Sequence, residues 1–337
     1  MAQLIEVEDL VKVYPDGTRA VDGVSFDVPE GELFGFLGPN GAGKTTIIRI
    51  LVTLLPRTSG TARIGGFDVG AQAEQVRRMI GYAAQFIGVD DDLSARENLV
   101  LQARLHGVAP AEAARRADEL LEVFSLTEVA NKRAGSFSGG MRRRLDLAQA
   151  LVHRPPLVFL DEPTTGLDPQ NRNALWRHLT DLNRAGTTIF LTTQYLEEAD
   201  HLCARVAIID HGRIAVVGSP EELKRSIGGD VVTVTLAPDA AEDDVARLLS
   251  TLAALDGAGE PTRFDHSVAL PLKDAGGVLS DLVRKLDDSG LTIAKLSVAS
   301  PSLDEVFLRY TGEVLRVEET GRNRSANPMM GRRRRMQ

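Results

Sequence analysis

The chain has one cysteine, Cys203, in 337 residues, so no internal disulfide can form and a reducing compartment is expected. No apolar run approaches the ~20 residues that a membrane-spanning helix requires. The first residues, Met1 to Glu8, carry neither a basic start nor an apolar signal core, which predicts a chain that is cytosolic as made. Six histidines lack ligand-like spacing, so no structural or catalytic zinc site is expected. A basic excess is missing too. The formal net charge of −8 argues against a general nucleic-acid binder. The charge is uneven, because Arg322, Arg324 and Arg332 to Arg335 lie in a tail with no acidic residue after Glu319. Such a tail either touches an anionic leaflet, at about 1 kcal/mol per residue near the surface, or stays solvated. The length suits two or three domains, each able to bury a core.

One stretch organises the rest. Leu33, Phe34, Phe36 and Leu37 form a short apolar run of the kind found in buried parallel strands. A loop follows, Gly38-Pro39-Asn40-Gly41-Ala42-Gly43-Lys44-Thr45-Thr46, which fits G-x-x-x-x-G-K-[ST]. Ile47, Ile48 and Leu51 then recur at helical spacing. Strand, glycine loop and helix together are the context in which this motif means phosphate binding. The glycines let backbone N–H groups point at a polyphosphate, and the helix N-terminus adds partial positive charge. In this pattern Lys44 reaches the β- and γ-phosphates and the Thr45 hydroxyl holds Mg²⁺.

Residues 3–28 alternate apolar and polar around the turn Pro15-Asp16-Gly17, which predicts an antiparallel sheet. Tyr14 sits at that turn, either stacked on a base or packed as an ordinary sheet residue. A strand over 61–64, a helix over 74–80 and a strand ending at Ala83 bring Gln85 into place. Residues 94–131 read as helix-rich, with Ala111, Ala114, Ala117, Leu120, Leu121 and Phe124 at helical spacing and a break at Gly107 to Pro110. Ser138 is placed to cap a helix that starts near Gly139, so Ser138, Gly139 and Gly140 form a second anion site. Arg142 to Arg144 read as a solvated helix face with one or two ion pairs.

Leu157 to Glu162 is a buried strand ending in two carboxylates. Asp161 would hold Mg²⁺ through water, and Glu162 would accept a proton from an attacking water. Asp168 follows in the turn Gly166-Leu167-Asp168, and a core strand over 189–193 delivers Gln194 and Tyr195. Beyond Gly228 the pattern is strand 231–236, helix 240–253, strand 263–270, helix 273–288 and strand 291–298. A last helix begins at Ser302 with a capping box to Glu305, and its apolar face of Leu303, Val306, Phe307 and Tyr310 is expected to pack within its own domain. From about Gly312 onward the composition favours disorder.

These motifs, in this order, make the chain resemble the ATP-binding subunit of ATP-binding-cassette (ABC) transporters over about residues 3–222. Gly38 to Thr45 matches the Walker A loop, Gln85 the Q-loop, and Phe137-Ser138-Gly139-Gly140-Met141 the signature. Leu157 to Glu162 matches Walker B, and Gly166 to Asp168 the D-loop. The C-terminal part, with Ser302 to Gly312 carrying most of the match, is similar to the extension on daunorubicin/doxorubicin-resistance ATPases of drug exporters. Three positions depart from the pattern. Phe137 and Met141 replace the usual Leu and Gln of the signature, and Gln194 replaces the switch histidine, so it donates a hydrogen bond but carries no charge.

The resemblance implies an α/β fold: a P-loop, RecA-like ABC nucleotide-binding domain with an antiparallel β subdomain and a helical subdomain, plus a small C-terminal α+β domain. The boundaries expected are 1–225 for the ATP-binding domain, with the helical subdomain at about 90–152, then 229–312, then the basic tail 313–337. It further implies an ATP hydrolase coupled to export of drugs or other hydrophobic compounds, with ATP and Mg²⁺ as ligands. The partners implied are a second copy of the chain in an ATP-sandwich dimer and a separate integral-membrane permease, at the cytoplasmic face of the membrane. Glu162, Gln194 and Lys44 would be catalytic. Tyr14, Gly38 to Thr46, Gln85, Ser138 to Gly140 and Asp168 would contact nucleotide, and Thr45, Gln85 and Asp161 would face the metal. A soluble cassette ATPase, or a regulatory module that holds ATP with little turnover, is the competing reading.

Overall fold

The computed structural model describes residues 3–311 apart from 238–239, 254, 256–258 and 273–274. The arginine tail and the disorder expected beyond Gly312 lie outside the described residues. The chain opens with β1 (Gln3–Val13) and β2 (Arg19–Pro29), paired antiparallel across the Tyr14–Gly17 turn. β3 (Leu33–Leu37) leads into α1 (Lys44–Leu51), and β4 (Ser59–Ile64) and β5 (Phe67–Asp68) return to the first sheet. That sheet has the order β2-β1-β4-β5 and is antiparallel throughout. Its inward residues, among them Ile5, Val7, Val24, Phe26 and Val28, are buried and alternate with exposed ones between the bulges of β1.

The central layer is a six-stranded sheet. After α2 (Ala73–Met79) come β6 (Ile80–Ala83), α3 (Ala95–Leu105), α4 (Pro110–Val123), α5 (Gly139–Ala150) and β7 (Leu157–Asp161). α6 (Pro169–Arg184), β8 (Thr188–Thr193), α7 (Leu196–Leu202), β9 (Arg205–Asp210) and β10 (Arg213–Gly218) complete it. The strand order is β10-β9-β3-β8-β7-β6, parallel except for the edge hairpin β9–β10. Every residue of β3, β7 and β8 is buried, which explains why their apolar stretches, 33–37, 157–160 and 189–191, show no polar alternation. Phe26, Phe34, Phe36 and Phe190 pack with ring centroids 5.3 to 6.3 Å apart and join the two sheets. The carboxyl ends of β3 and β7, two strands apart, therefore open on one side, where open α/β sheets bind ligands.

α3 starts at a capping box in which Ser94 and Glu97 satisfy each other's backbone N–H. In α4 the buried stripe is Ala113, Ala117, Leu120 and Leu121. Ala111 is exposed and Ala114 only half-buried, because the stripe follows the i, i+4 step back from Leu121. At the end of α5, His153 stacks on His106 with centroids 3.7 Å apart and bonds the Ile80 carbonyl at 3.0 Å. Burial, with the neighbouring ring as a lesser cause, lowers the His153 pKa to about 4. Unfolded, the ring takes up its proton near pH 6.5, so folding opposes protonation. Stability present above pH 6.5 is lost as pH falls toward 4. Urea unfolding across that window should show wild type losing up to about 1.4 kcal/mol per pH unit more than His153→Gln. Equal slopes would contradict this reading.

α8 (Pro220–Ile227) leads to β11 (Asp230–Leu236), α9 (Glu242–Ala253), β12 (Thr262–Phe264), β13 (Ser267–Leu272), α10 (Ala275–Asp288), β14 (Ile293–Ala299) and α11 (Leu303–Thr311). The sheet β12-β13-β11-β14 has its own core, including Val232, Val234, Leu248, Leu252, Val268 and Leu270. Two expectations change here. The strand expected over 263–270 is a hairpin, since Asp265 takes φ 53° and turns the chain at His266. The apolar face of α11 does not pack within its own domain. Leu303, Val306 and Phe307 join the core that also holds Ala199 and Leu223, and α11 lies against α7, α8 and β10. The reason is occupancy: α9 and α10 already cover the apolar face of the small sheet, so the open apolar surface is on the larger layer. Tyr310 stays 40 % exposed at the margin, 3.4 Å from the Ser226 hydroxyl.

Candidate functional site

The loop between β3 and α1 wraps a cavity of about 380 Å³, lined by Ala20, Pro39, Asn40, Gly41, Gly43, Lys44, Thr45, Thr46, Gln85, Glu162, Thr165 and Gln194. The glycines are required by the geometry. Gly43 has φ 106°, and a Cβ there would lie 2.4 Å from the Ala20 carbonyl; at Gly38 it would lie 2.3 Å from the Ile209 carbonyl. Both contacts press the loop onto neighbouring backbone. Its N–H groups then stand at the mouth of α1, where the helix end favours anions. Gly38 N–H also donates to the Thr193 carbonyl at 3.4 Å, and Ala42 is buried behind the loop.

Lys44 is buried at 4 % exposure. Its ammonium donates to the carbonyls of Gly38 at 2.6 Å and Pro39 at 3.0 Å and lies 3.7 Å from the Glu162 carboxylate. Burial lowers its pKa, while Glu162 and Asp161 act in the opposite sense. Glu162 accepts from Gln85 Nε2 at 3.1 Å and from the Thr165 hydroxyl at 3.3 Å. Its backbone sits at φ 48°, held by its N–H to the Thr192 carbonyl at 3.0 Å. A non-glycine residue in that region is strained, and strain of this kind gathers at functional sites.

Asp161 Oδ1 accepts from the Thr192 hydroxyl at 2.6 Å and the Thr45 hydroxyl at 3.3 Å. Its Oδ2 is buried with no hydrogen-bond partner among the described residues. An orphaned carboxylate oxygen beside a threonine hydroxyl at a phosphate loop fits Mg²⁺, which takes one or two carboxylates plus water and substrate oxygens. Gln194 is buried at 6 % exposure and faces the same cavity from the end of β8.

The other expected residues lie elsewhere. Tyr14 bonds the Thr46 hydroxyl at 3.3 Å and sits under the Lys12 ammonium, outside the cavity lining. Ser138 caps α5, its Oγ accepting from Met141 N–H at 3.3 Å. Ser138 and Gly139 are exposed, and neither they nor Gly140 line the cavity. Asp168 is exposed and caps α6 through Asn171 N–H at 2.8 Å. The Asn171 side chain lies under Gly140, where a Cβ would come within 2.8 Å. The chain thus gathers Gly38 to Thr46, Gln85, Asp161, Glu162 and Gln194 and leaves Ser138, Gly139 and Asp168 facing outward.

Sequence reasoning missed Thr192, Thr165 and Ala20, whose roles depend on packing, and misread Arg143. Arg142 and Arg144 are partly exposed as expected, but Arg143 is buried at 4 % exposure and bonds backbone carbonyls of other elements. Three consecutive arginines give no sign of which one turns inward; the α5 phase relative to β7 decides it.

Comparison with known proteins agrees with this geometry. The profile of the family described as "ABC transporter" matches residues 21–165, and that described as "ATP-binding protein DrrA1-3-like, C-terminal domain" matches residues 218–311. The daunorubicin/doxorubicin resistance ATP-binding protein DrrA of Streptomyces peucetius is 46 % identical, covering 91 % of this chain and 92 % of that protein. The linearmycin resistance ATP-binding protein LnrL of Bacillus subtilis is 35 % identical over 93 % of this chain and 100 % of its own length. Nod factor export ATP-binding protein I of Paraburkholderia xenovorans is 40 % identical over 91 % and 97 %. Among solved structures, the dimeric post-hydrolysis cassette MJ0796 bound to ADP and phosphate is 26 % identical, with TM-score 0.59 over 64 % of this chain and 98 % of that one. CbiO1 of Clostridium perfringens, part of the transporter complex cbiONQ, is 26 % identical with TM-score 0.62, over 66 % of this chain and 91 % of that one.

Proposed function

The chain belongs to the ABC-transporter ATP-binding proteins, in the group of the daunorubicin/doxorubicin-resistance ATPases, and from that premise we propose that it is the motor of a membrane exporter of drugs or other hydrophobic compounds. It is an ATPase of that group. No helix among the described residues is long and apolar enough to cross a membrane. In this reading, which the likeness to exporter ATP-binding proteins supports, the pore is a separate permease and the chain works at its cytoplasmic side. The carrying observation is the separation of two anion sites: Lys44 lines the cavity, whereas Ser138 and Gly139 face outward. Two copies packed head to tail would bring the Ser138–Gly140 end of one to the phosphate loop of the other, with two ATP molecules sandwiched. ATP favours that closed state only as far as it binds it better than the open one.

Within one half-site, Lys44 neutralises the β- and γ-phosphates. Mg²⁺, when bound by Thr45, Asp161 and water, supplies positive charge to the phosphate oxygens. Glu162 takes the proton of the attacking water. Gln85 donates to Glu162 at 3.1 Å, which holds that carboxylate in the cavity, and would join Thr45 and Asp161 in holding Mg²⁺. Gln194 donates its amide N–H toward the γ-phosphate, and Asp168 stands at the dimer seam.

Gel filtration and light scattering in Mg-ATP test the sandwich: a dimer with ATP and a monomer without is expected, and a monomer in both would overturn it. For the switch position, Gln194→Ala should slow phosphate release about tenfold, a hydrogen bond to a charged group lost, and Gln194→His should restore or raise it. Equal rates in all three forms would remove Gln194 from the mechanism.

A further inference from the structure

We propose that Arg143 and Asp146 form a positioning pair through which α5 fixes two residues that line the phosphate cavity, Gln85 and Glu162. The inference rests on the roles given to those residues above. Arg143 is on the helix that begins with Ser138–Gly140, and its guanidinium reaches two other segments of the molecule. Nη1 donates to the Ala84 carbonyl at 2.6 Å, one residue before Gln85. Nε donates to the Pro163 carbonyl at 2.9 Å and Nη2 to the Asp161 carbonyl at 3.2 Å, on either side of Glu162. Nη1 also pairs with Asp146 Oδ2 at 3.0 Å, and Asp146 Oδ1 accepts from Gly88 N–H at 2.9 Å. The pair thus grips the loop of Gln85 at both ends and the backbone of Glu162 at both ends.

Both side chains are nearly sealed, at 4 % and 6 % exposure. Burial penalises each charge, so the pair is costly to maintain and costly to break. A polar pair of this kind fixes geometry better than it adds stability. Glu162 is at φ 48°, a conformation that needs support from its surroundings. Arg143 supplies part of that support. Only a planar fork with several N–H groups spans three carbonyls and a carboxylate; a lysine ammonium is a single point. Between Ala84 and Gly88 lies Phe86, which is 82 % exposed. A push on that loop from outside, or a shift of α5 when its N-terminus meets nucleotide, would reach Glu162 through the same two side chains.

The test uses the full-length chain and two variants. Arg143→Lys keeps the charge and loses the fork. The double change Arg143→Met with Asp146→Leu removes both charges together, so no lone buried ion is left. In each, titration with a fluorescent ATP analogue should give a Kd within about twofold of wild type, because the phosphate loop is untouched. kcat should fall about 10- to 100-fold with KM little changed, as expected when a reacting group is misplaced. Amide exchange over residues 84–88 should speed up in both. Wild-type kcat and exchange in both variants would overturn the proposal. Parallel loss of affinity, kcat and thermal midpoint would also overturn it, in favour of a purely structural pair. A wild-type chain that binds ATP without turning it over would count against the hydrolytic reading of the site, and the exchange of 84–88 would then decide the pair by itself.

Discussion

Glu162→Gln is expected to slow ATP turnover about 10²–10⁴-fold, the range for losing a general base, while ATP binding persists. The amide keeps the size of the carboxylate, so the contacts with Gln85 at 3.1 Å and Thr165 at 3.3 Å have a replacement. What is lost is the ability to take a proton from water. The variant also removes the negative charge that lies 3.7 Å from Lys44, which leaves that ammonium freer to serve phosphate. Binding should therefore be at least as tight as in wild type, and the ATP-bound dimer should accumulate because the γ-phosphate is not removed. Phosphate release and gel filtration in Mg-ATP read the two effects separately. Undiminished turnover would take Glu162 out of the proton transfer, and a monomer alone would contradict the sandwich.

Lys44→Ala should lower ATP affinity by at least about 100-fold, from losing two charge-assisted hydrogen bonds to phosphate at about 1.5–3 kcal/mol each. The ammonium already sits 2.6 and 3.0 Å from the carbonyls of Gly38 and Pro39, so it also ties the start of the loop to α1. Alanine at the first position of α1 is a good helix former, and the fold should survive. A nucleotide titration with circular dichroism on the same samples checks both points. Unchanged affinity would mean that the cavity behind Gly38–Thr46 is not where triphosphate binds.

Much of the fold was legible because its signals are local. β3, β7 and β8 are buried on both faces, so apolar residues follow one another in them without polar alternation over 33–37, 157–160 and 189–191. The helix starts at Ser138 and Ser302 were readable because a cap satisfies N–H groups only a few residues away. Errors arose where the partner was distant. The α11 face gave no sign that it packs on α7 and α8 instead of the small sheet. The stripe expected in α4 holds at Ala117, Leu120, Leu121 and Phe124 and misses only at its start, where Ala113 is buried in place of Ala111 and Ala114, since alanine is buried or exposed with equal ease and only the neighbours decide. Arg143 looked like its two neighbours until the phase of α5 turned it inward.

The sequence alone determined the chemistry available: a glycine loop with Lys44 and Thr45, a strand ending in Asp161 and Glu162, and Ser138 at a helix start. Each is a short segment whose backbone and side chains interact within a few residues. The tertiary structure decided which of these meet. It set β3 and β7 two strands apart with both carboxyl ends on one cavity, left the Ser138 end facing outward, and ran Arg143 from the Ser138 helix to the backbone on either side of Glu162. Strand order and helix phase are set by the burial of many apolar side chains at once, and no single stretch carries that sum.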